Sequence, residues 1–340
     1  MKSFTSPMTH SLFISRRQLL AGACALPLLS ACGSATRSSS SLKVAALFAG
    51  NVSDKGFMEA GWRGLQRAGT ELGVQTRYID GIAPQKAQLA QALEELAKDK
   101  PDLVIAHGGQ NNEACAEVAD RHPGTRFVVT QGAVRGANLA SYDVLQEESA
   151  YLAGVLAAST TRSGVVGHMS GIRVVPGLKG RAAFAAGVRA TDPKVRLLTN
   201  FSGNQDDNAL SRKVAAAQCS AGADVIFTML NAGRDGVTQV CREQGRRQIG
   251  NVGDWVAQDP KVFVGSAVAD VSVGVFQAVS DLQAGRFPAG AIRTIGLARR
   301  EAVRLTLAPD VPAGVRERIV RIAAEIADGR LHVPTTYHGP

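Results

Sequence analysis

The chain has 340 residues, 45% of them apolar and 20% charged, and a formal net charge of +9. It is too apolar for disorder and long enough for one large or two medium domains with real cores. The positive charge is scattered, its densest groups being the pairs Arg246-Arg247 and Arg299-Arg300, so a nucleic-acid surface is not expected and the excess reads as a solvated face.

The first element is SRRQLLAGACALPLLSAC, residues 15–32. Its largely apolar part, Leu19 to Ala31, has 13 residues. As a helix it reaches roughly 20 Å, short of the ~30 Å of a bilayer core. A charged lead, a short apolar run and small residues at its end make a secretory signal. Arg16-Arg17 resembles a twin-arginine export motif, and Leu29-Ser30-Ala31-Cys32 a lipoprotein cleavage box that leaves Cys32 lipidated. The following GSATRSSSS is small, polar and aperiodic, a flexible tether. Residues 1–32 thus read as the export signal and 33–41 as the tether.

From Leu42 short apolar runs alternate with segments of helical spacing. LKVAALF, VQTRYI, DLVIAHG and RFVVTQG are strands, and GFMEAGWRGLQRAGTELG, PQKAQLAQALEELAKD and NEACAEVADRH are helices. The rhythm pauses near ANLASYD. It resumes with the helix EESAYLAGVLAAST, then SGVVGHMSG, GLKGRAAFAAGVRAT, VRLLTNF, DDNALSRKVAAAQCSAG, ADVIFTML and RDGVTQVCREQG. RQIGNVG and VFVGSAV are further strands, SVGVFQAVSDLQAG a helix, REAVRLTLAP a late strand and PAGVRERIVRIAAEIADG a final amphipathic helix. The fold class is therefore α/β, two successive series that make two lobes of similar build with parallel sheets, one over 42–140 and the other over 141–268.

In open α/β sheets ligands collect at the carboxyl ends of the strands, so the loops there carry the candidate site. In AGNVSDKGFMEAGW, Asn51, Ser53 and Asp54 precede a helix; Ser53 or Asp54 is either a cap or a ligand acceptor. Phe57 and Trp62 lie five apart on that helix, so one of them meets the cleft and the other turns away. HGGQNNEA offers Gly108 and Gly109 for close backbone approach and Gln110, Asn111 and Asn112 as donors and acceptors, and TQGAVRG offers Gln131. NFSGNQDDN, LNAGRDG and VGDW occupy equivalent places in the second half and supply Gln205, Gly233, Asp254 and Trp255. Asp206 or Asp207 reads as a helix cap, and His107 as a hydrogen-bonded structural histidine.

Catalytic signatures are missing. There is no dinucleotide or Walker glycine loop, no nucleophile elbow and no HExxH, and GHMSG at 167–171 has its serine one place late for an elbow. The polar loops are rich in amides and poor in acid–base pairs, which suits binding and not catalysis. No cofactor or metal is expected. Cys115, Cys219 and Cys241 read as buried free thiols, with a disulfide between Cys219 and Cys241 as the alternative in an oxidising compartment.

SDKGFMEAGWRGL, EESAYLAGVLAASTTRSGVVGHMSG, FAAGVRATDPKV, AGADVIFTMLNAGRDGV and GDW…DPKVFVGSAVADVSVGV closely resemble the basic membrane lipoprotein family, substrate-binding proteins of ABC importers that include purine nucleoside receptors. The similarity runs from about Leu42 to about Leu307. It implies a type I periplasmic-binding fold, two Rossmann-like lobes joined by a hinge of crossing strands with a ligand buried between them, the lobe at 42–140 completed by roughly 269–295 and the lobe at 141–268 by roughly 296–340. It places the base-binding carboxylate at Asp54 and a stacking aromatic at Trp62. A family aspartate falls near Gln131 and a second stacking aromatic near Gln205. The ribose-binding aspartate and lysine fall near Val252 and at Ala269, with Asp254 and Asp270 close by. Hydrogen bonds to charged groups contribute about 1.5–3 kcal/mol each, so two lost contacts favour a free nucleobase or similar flat heterocycle over an intact nucleoside. The expected protein is a monomer without enzymatic activity, in the periplasm or at the extracytoplasmic membrane face, anchored through Cys32 after export by the twin-arginine route. Its partners are a small-molecule ligand and an ABC permease with its ATPase. A sensor that signals to a membrane partner is the alternative.

Overall fold

The computed structural model describes residues 41–338; the signal, the cleavage box with Cys32 and all but the last residue of the tether lie outside them. The first lobe opens with β1 (Lys43–Phe48), α1 (Phe57–Leu72), β2 (Gln75–Ile79), α2 (Lys86–Ala97), β3 (Leu103–His107), α3 (Asn112–Arg121), β4 (Arg126–Thr130) and β5 (Leu139–Val144). The second lobe follows with α4 (Gln146–Thr160), β6 (Val165–Ser170), α5 (Val175–Thr191), β7 (Arg196–Phe201), α6 (Asn208–Ser220), β8 (Val225–Met229), α7 (Arg234–Glu243), β9 (Arg247–Val252) and β10 (Phe263–Ala269). The chain then returns with α8 (Ser272–Gln283) and β11 (Ile292–Ile295) to the first lobe, and with β12 (Val303–Leu307) and α9 (Ala313–Ala327) to the second.

Each lobe holds one six-stranded sheet, ordered β11-β5-β4-β3-β1-β2 in the first and β12-β10-β9-β8-β6-β7 in the second. All neighbours run parallel except β12, which is antiparallel to β10. Helices cover both faces, so central strands such as β1 and β3 are apolar and buried along nearly their whole length. The edge strand β2, QTRYI, is polar and largely exposed, which blunts a free sheet edge.

β5 and β11 lie in stretches where the sequence pattern gives no strand, and they pair with each other. β5 is hidden by its polar residues, whose partners are distant in sequence: Tyr142 Oη donates to Asp281 (2.8 Å) and Lys179 Nζ donates to Asp143 (3.0 Å). Only one residue of the four in β11 is buried.

The chain passes between the lobes at three places, after β5, after β10 and after β11. Backbone bonds tie these crossings together: Leu145 N–H donates to Ile295 O (2.9 Å) and Asp270 N–H to Ala302 O (2.7 Å). The Glu148 carboxylate accepts from Leu297 N–H (2.6 Å). Lys179 on α5 reaches Asp143 at 3.0 Å and Glu147 at 2.7 Å, bridging the end of β5 to the start of α4.

α4 is buried along most of its length, and α5 lies against it. Glycines permit this approach. A Cβ on Gly154 would overlap the carbonyl of Phe184, and one on Gly187 that of Tyr151. Gly187→Val is expected to lower the unfolding free energy by about 1–3 kcal/mol, the usual cost of overpacking, in urea titrations. An unchanged midpoint and slope would contradict this close packing.

Candidate functional site

The carboxyl ends of the two sheets face each other across a cavity of about 500 Å³, within the range of small-molecule sites. The first lobe lines it with the loop after β1 and the first turn of α1 (Asn51, Asp54, Phe57, Met58), the loop after β2 (Gly81–Pro84), and Gly109 and Gln110 after β3. The second lobe supplies Ile172, Val174, Pro176, Asn204, Gln205, Asp206, Met229, Asn231, Asn251 and Val252, and Gln146 enters at the crossing.

Asp54 is 7% exposed and accepts three backbone N–H bonds, from Gly56 (2.8 Å), Met58 (3.0 Å) and Glu59 (3.1 Å). It therefore caps α1 and lines the cavity at once. Burial raises its pKa, the three amides oppose the rise, and the Asp206 charge adds to it. A carboxylate has about four lone-pair sites, so one remains for a ligand donor. Asn51 Oδ1 is taken by Ser53 N–H (2.8 Å) and Oγ (2.7 Å), which leaves its N–H₂ for the cavity.

Phe57 is the aromatic of the site. Its ring stacks on His107, centroids 4.3 Å apart and planes at 27°. His107 Nε2 lies 3.0 Å from Phe57 O and Nδ1 2.7 Å from Thr130 Oγ1. A neutral imidazole donating to the carbonyl and accepting from the hydroxyl satisfies both, and burial pushes its pKa down to about 4. His107 is thus a fixed platform behind Phe57.

Trp62, expected to stack on the ligand, does not line the cavity. It packs against the core five residues further along α1, with Nε1 buried and without a hydrogen-bond partner. Several other expected residues hold the walls in place. Gln131, in the left-handed region at φ 53°, bridges to Val144 through both ends of its amide, donating to its O (2.8 Å) and accepting from its N–H (2.7 Å). Asn111 donates to the carbonyls of His107 (2.9 Å) and Gly108 (3.0 Å), and Gly108 makes that turn at φ 104°. Asp254 accepts from Thr306 Oγ1 (2.8 Å), and Asp270 from Ser272 N–H (3.1 Å) at the start of α8. Gly233 presses on the backbone of Gln205, to whose carbonyl it donates (3.1 Å). Trp255 stands behind the wall, its Nε1 donating to Asn251 O (2.8 Å). Of the expected residues, the structure brings Asn51, Asp54, Gly109 and Gln205 together in the lining and leaves Ser53 and most others outside it.

Gln110, named with Asn111 and Asn112 from the sequence, also lines the cavity, whereas sequence reasoning passed over Gln146, Asn204, Asn231 and Asn251. Gln146 and Asn231 are the first polar residues beyond a strand, a signal present in the sequence. Asn251 is best oriented with its nitrogen donating to Thr228 O (3.0 Å) and Leu230 O (3.2 Å), which leaves its oxygen for the cavity. The lining holds amides and two carboxylates, Asp54 and Asp206, and no Lys, Arg or His. Such a site suits a neutral, donor-rich ligand and disfavours anions.

A hinged pair of α/β lobes that closes strand ends over an amide-lined cavity is a binding protein of the type I periplasmic class. The chain belongs to the Bmp family, the PnrA-like ABC transporter substrate-binding proteins, whose pattern matches residues 41–335. The family consists of binding proteins, not enzymes, and implies a small-molecule ligand and a permease partner. Among relatives, the chain is 24% identical over 307 residues to the ABC transporter nucleoside-binding protein BmpA of Lactococcus lactis, covering 84% of this chain and 87% of that protein. It is 22% identical over 240 residues to a purine-binding protein of Brucella abortus, covering 70% and 67%. A solute-binding protein of an ABC transporter system from Aeropyrum pernix shares the fold with a TM-score of 0.78 at 21% identity, covering 87% of this chain and 94% of that one.

His107 binds a proton near pH 6.5 when unfolded but only near 4 when folded. Its contribution to stability is therefore complete above 6.5 and lost as pH falls toward 4. Between those limits the wild type is expected to lose up to about 1.4 kcal/mol per pH unit more than His107→Asn in urea unfolding. Identical pH slopes would contradict a neutral, buried His107.

Proposed function

We propose that this substrate-binding protein captures a small planar heterocycle, a purine nucleobase in preference to a nucleoside, and delivers it to its ABC permease. The lining carries this reading: one aromatic face, Phe57 backed by His107, beside amides and a buried carboxylate, with no cation. Stacking on an aromatic contributes about 1–3 kcal/mol per base. Asp54 and the N–H₂ of Asn51 supply an acceptor and a donor for the polar edge of the ring. The nucleoside-binding relative from Lactococcus and the purine-binding relative from Brucella lean the same way. The amino end completes the proposal: export by the twin-arginine route, a lipid on Cys32, and a monomer held at the extracytoplasmic membrane face through the 33–41 tether.

Isothermal titration with purines, pyrimidines, nucleosides and nucleoside monophosphates tests the ligand. Tight binding is expected with a purine base, weaker binding with its nucleoside and no heat with the monophosphates. Phe57→Ala should weaken binding by about 1–3 kcal/mol, roughly five- to more than a hundredfold, while Trp62→Phe leaves it unchanged. Flat heats across all heterocycles with folded protein would defeat the assignment.

A further inference from the structure

One stretch of the second lobe's wall has an unusual backbone. Val252 ends β9 at φ 65°, in the left-handed region. A β-branched residue there is a genuine outlier. Gly253 N–H donates back to Asn251 O (2.8 Å), so residues 251–253 close a turn of three. A positive φ at the centre of such a turn makes it the rare, strained hand of the γ-turn. Both Asn251 and Val252 line the cavity. With its amide nitrogen donating to Thr228 O (3.0 Å) and Leu230 O (3.2 Å), Asn251 keeps Oδ1 for the cavity. Val252 adds an apolar piece of wall and is 6% exposed.

Strained backbone persists where its surroundings over-determine it. Here the surrounding group is Trp255. Its Nε1–H donates to the same Asn251 O at 2.8 Å, so that carbonyl accepts from the indole as well as from Gly253. The indole is itself pinned. Trp255 N–H and Val256 N–H donate to Ser266 Oγ on β10, at 2.9 and 3.0 Å. The ring lies so close to Gly250 that a Cβ there would overlap it. The guanidinium carbon of Arg234 lies 3.2 Å from the ring centre. Arg234 is 1% exposed and donates to Asp235 and to Lys55 O of the first lobe, both at 3.3 Å.

We infer that Trp255 is a positioning residue for the ligand: its indole N–H clamps the strained turn at 251–253, which holds Asn251 Oδ1 and the Val252 side chain in the cavity wall. Without that N–H the turn keeps one hydrogen bond against its strain, and Val252 relaxes to the negative φ that a branched side chain prefers. The relaxation rotates the peptide units on either side of Val252. It takes an acceptor and an apolar contact away from a ligand lying against Phe57 and Asp54. Glycine adopts a positive φ without steric cost. A glycine at 252 therefore keeps the turn whether or not the indole N–H is present. The inference rests on the proposed function only in treating this lining as the ligand's site.

The test uses the purified chain and its Trp255→Phe, Val252→Gly and Val252→Gly/Trp255→Phe variants. Phenylalanine keeps a ring beside Arg234 and Gly250 and removes the N–H. Hydrogen exchange of the Gly253 amide, followed by NMR without added ligand, reads the turn. Trp255→Phe is expected to speed this exchange about three- to tenfold, the scale of one hydrogen bond, while amides of β1 keep their wild-type rates. The same substitution made on Val252→Gly should change it less than about twofold. Adenine titrations read the consequence for binding. Trp255→Phe should weaken adenine about three- to tenfold in the wild-type background, and less than about twofold in the Val252→Gly background. Equal acceleration of the Gly253 amide in both backgrounds overturns the inference, as does an adenine affinity that Trp255→Phe leaves unchanged. Acceleration that Val252→Gly abolishes, with flat adenine heats for every variant, would support the clamp and count against the nucleobase reading alone.

Discussion

The carboxylate of Asp54, gripped by three amides at the start of α1, is the constraint on which the site turns. It fixes where α1 begins, and so the direction in which Phe57 projects. It also determines which backbone reaches the other lobe, because Lys55, Gly56 and Phe57 form that contact. One side chain thus sets a helix, a cavity wall and half of the interlobe seam. A helix N-terminus is a natural place for an acid, since its free amides and dipole favour negative charge. Here the burial that makes the acid useful to a ligand works against its charge, and the three amides oppose that.

The wider architecture keeps this constraint mobile. Three crossings carry the chain between the sheets, and their backbone bonds form a compact hinge with Glu148 and Lys179 beside it. Hinges of this kind absorb rotation in a few residues while the lobes stay rigid. The cavity then closes with walls from both lobes, so a ligand touching both favours the closed form by the difference in its contacts between the two states. The chemistry of the walls sets what can enter. Amides read hydrogen-bonding edges without demanding a charge, and two carboxylates in a lining without a cation select against anions.

The alternation of strands and helices was legible because parallel strands covered on both faces are uniformly apolar, as in VAALF and LVIAH. β5 and β11 were not. Tyr142 and Asp143 are polar for the sake of Asp281 and Lys179, far away in sequence, and β11 is too short and exposed to show a pattern. The site was partly legible for a related reason. Polar residues beyond strand ends mark the right loops, but the sequence does not distinguish a side chain that faces a ligand from one that ties down the loop. Gln131, Asp254 and Asp270 look like ligand groups until their backbone and hydroxyl partners are seen. Phe57 and Trp62 pose the same ambiguity on one helix. It is settled by His107, which supports the first ring at stacking distance, while the second packs into the core. Arg234 gave no signal, since a basic residue at the start of a helix reads as a solvated one.

The most direct test of the whole account is a crystal structure of the chain with the compound that co-purifies with it or, failing that, with adenine. The account predicts a flat ring against the face of Phe57, an N–H of the ligand on Asp54, and Arg234 docked against Lys55 O in the closed form. A ligand bound outside the interlobe cavity, or one stacked on Trp62, would contradict it.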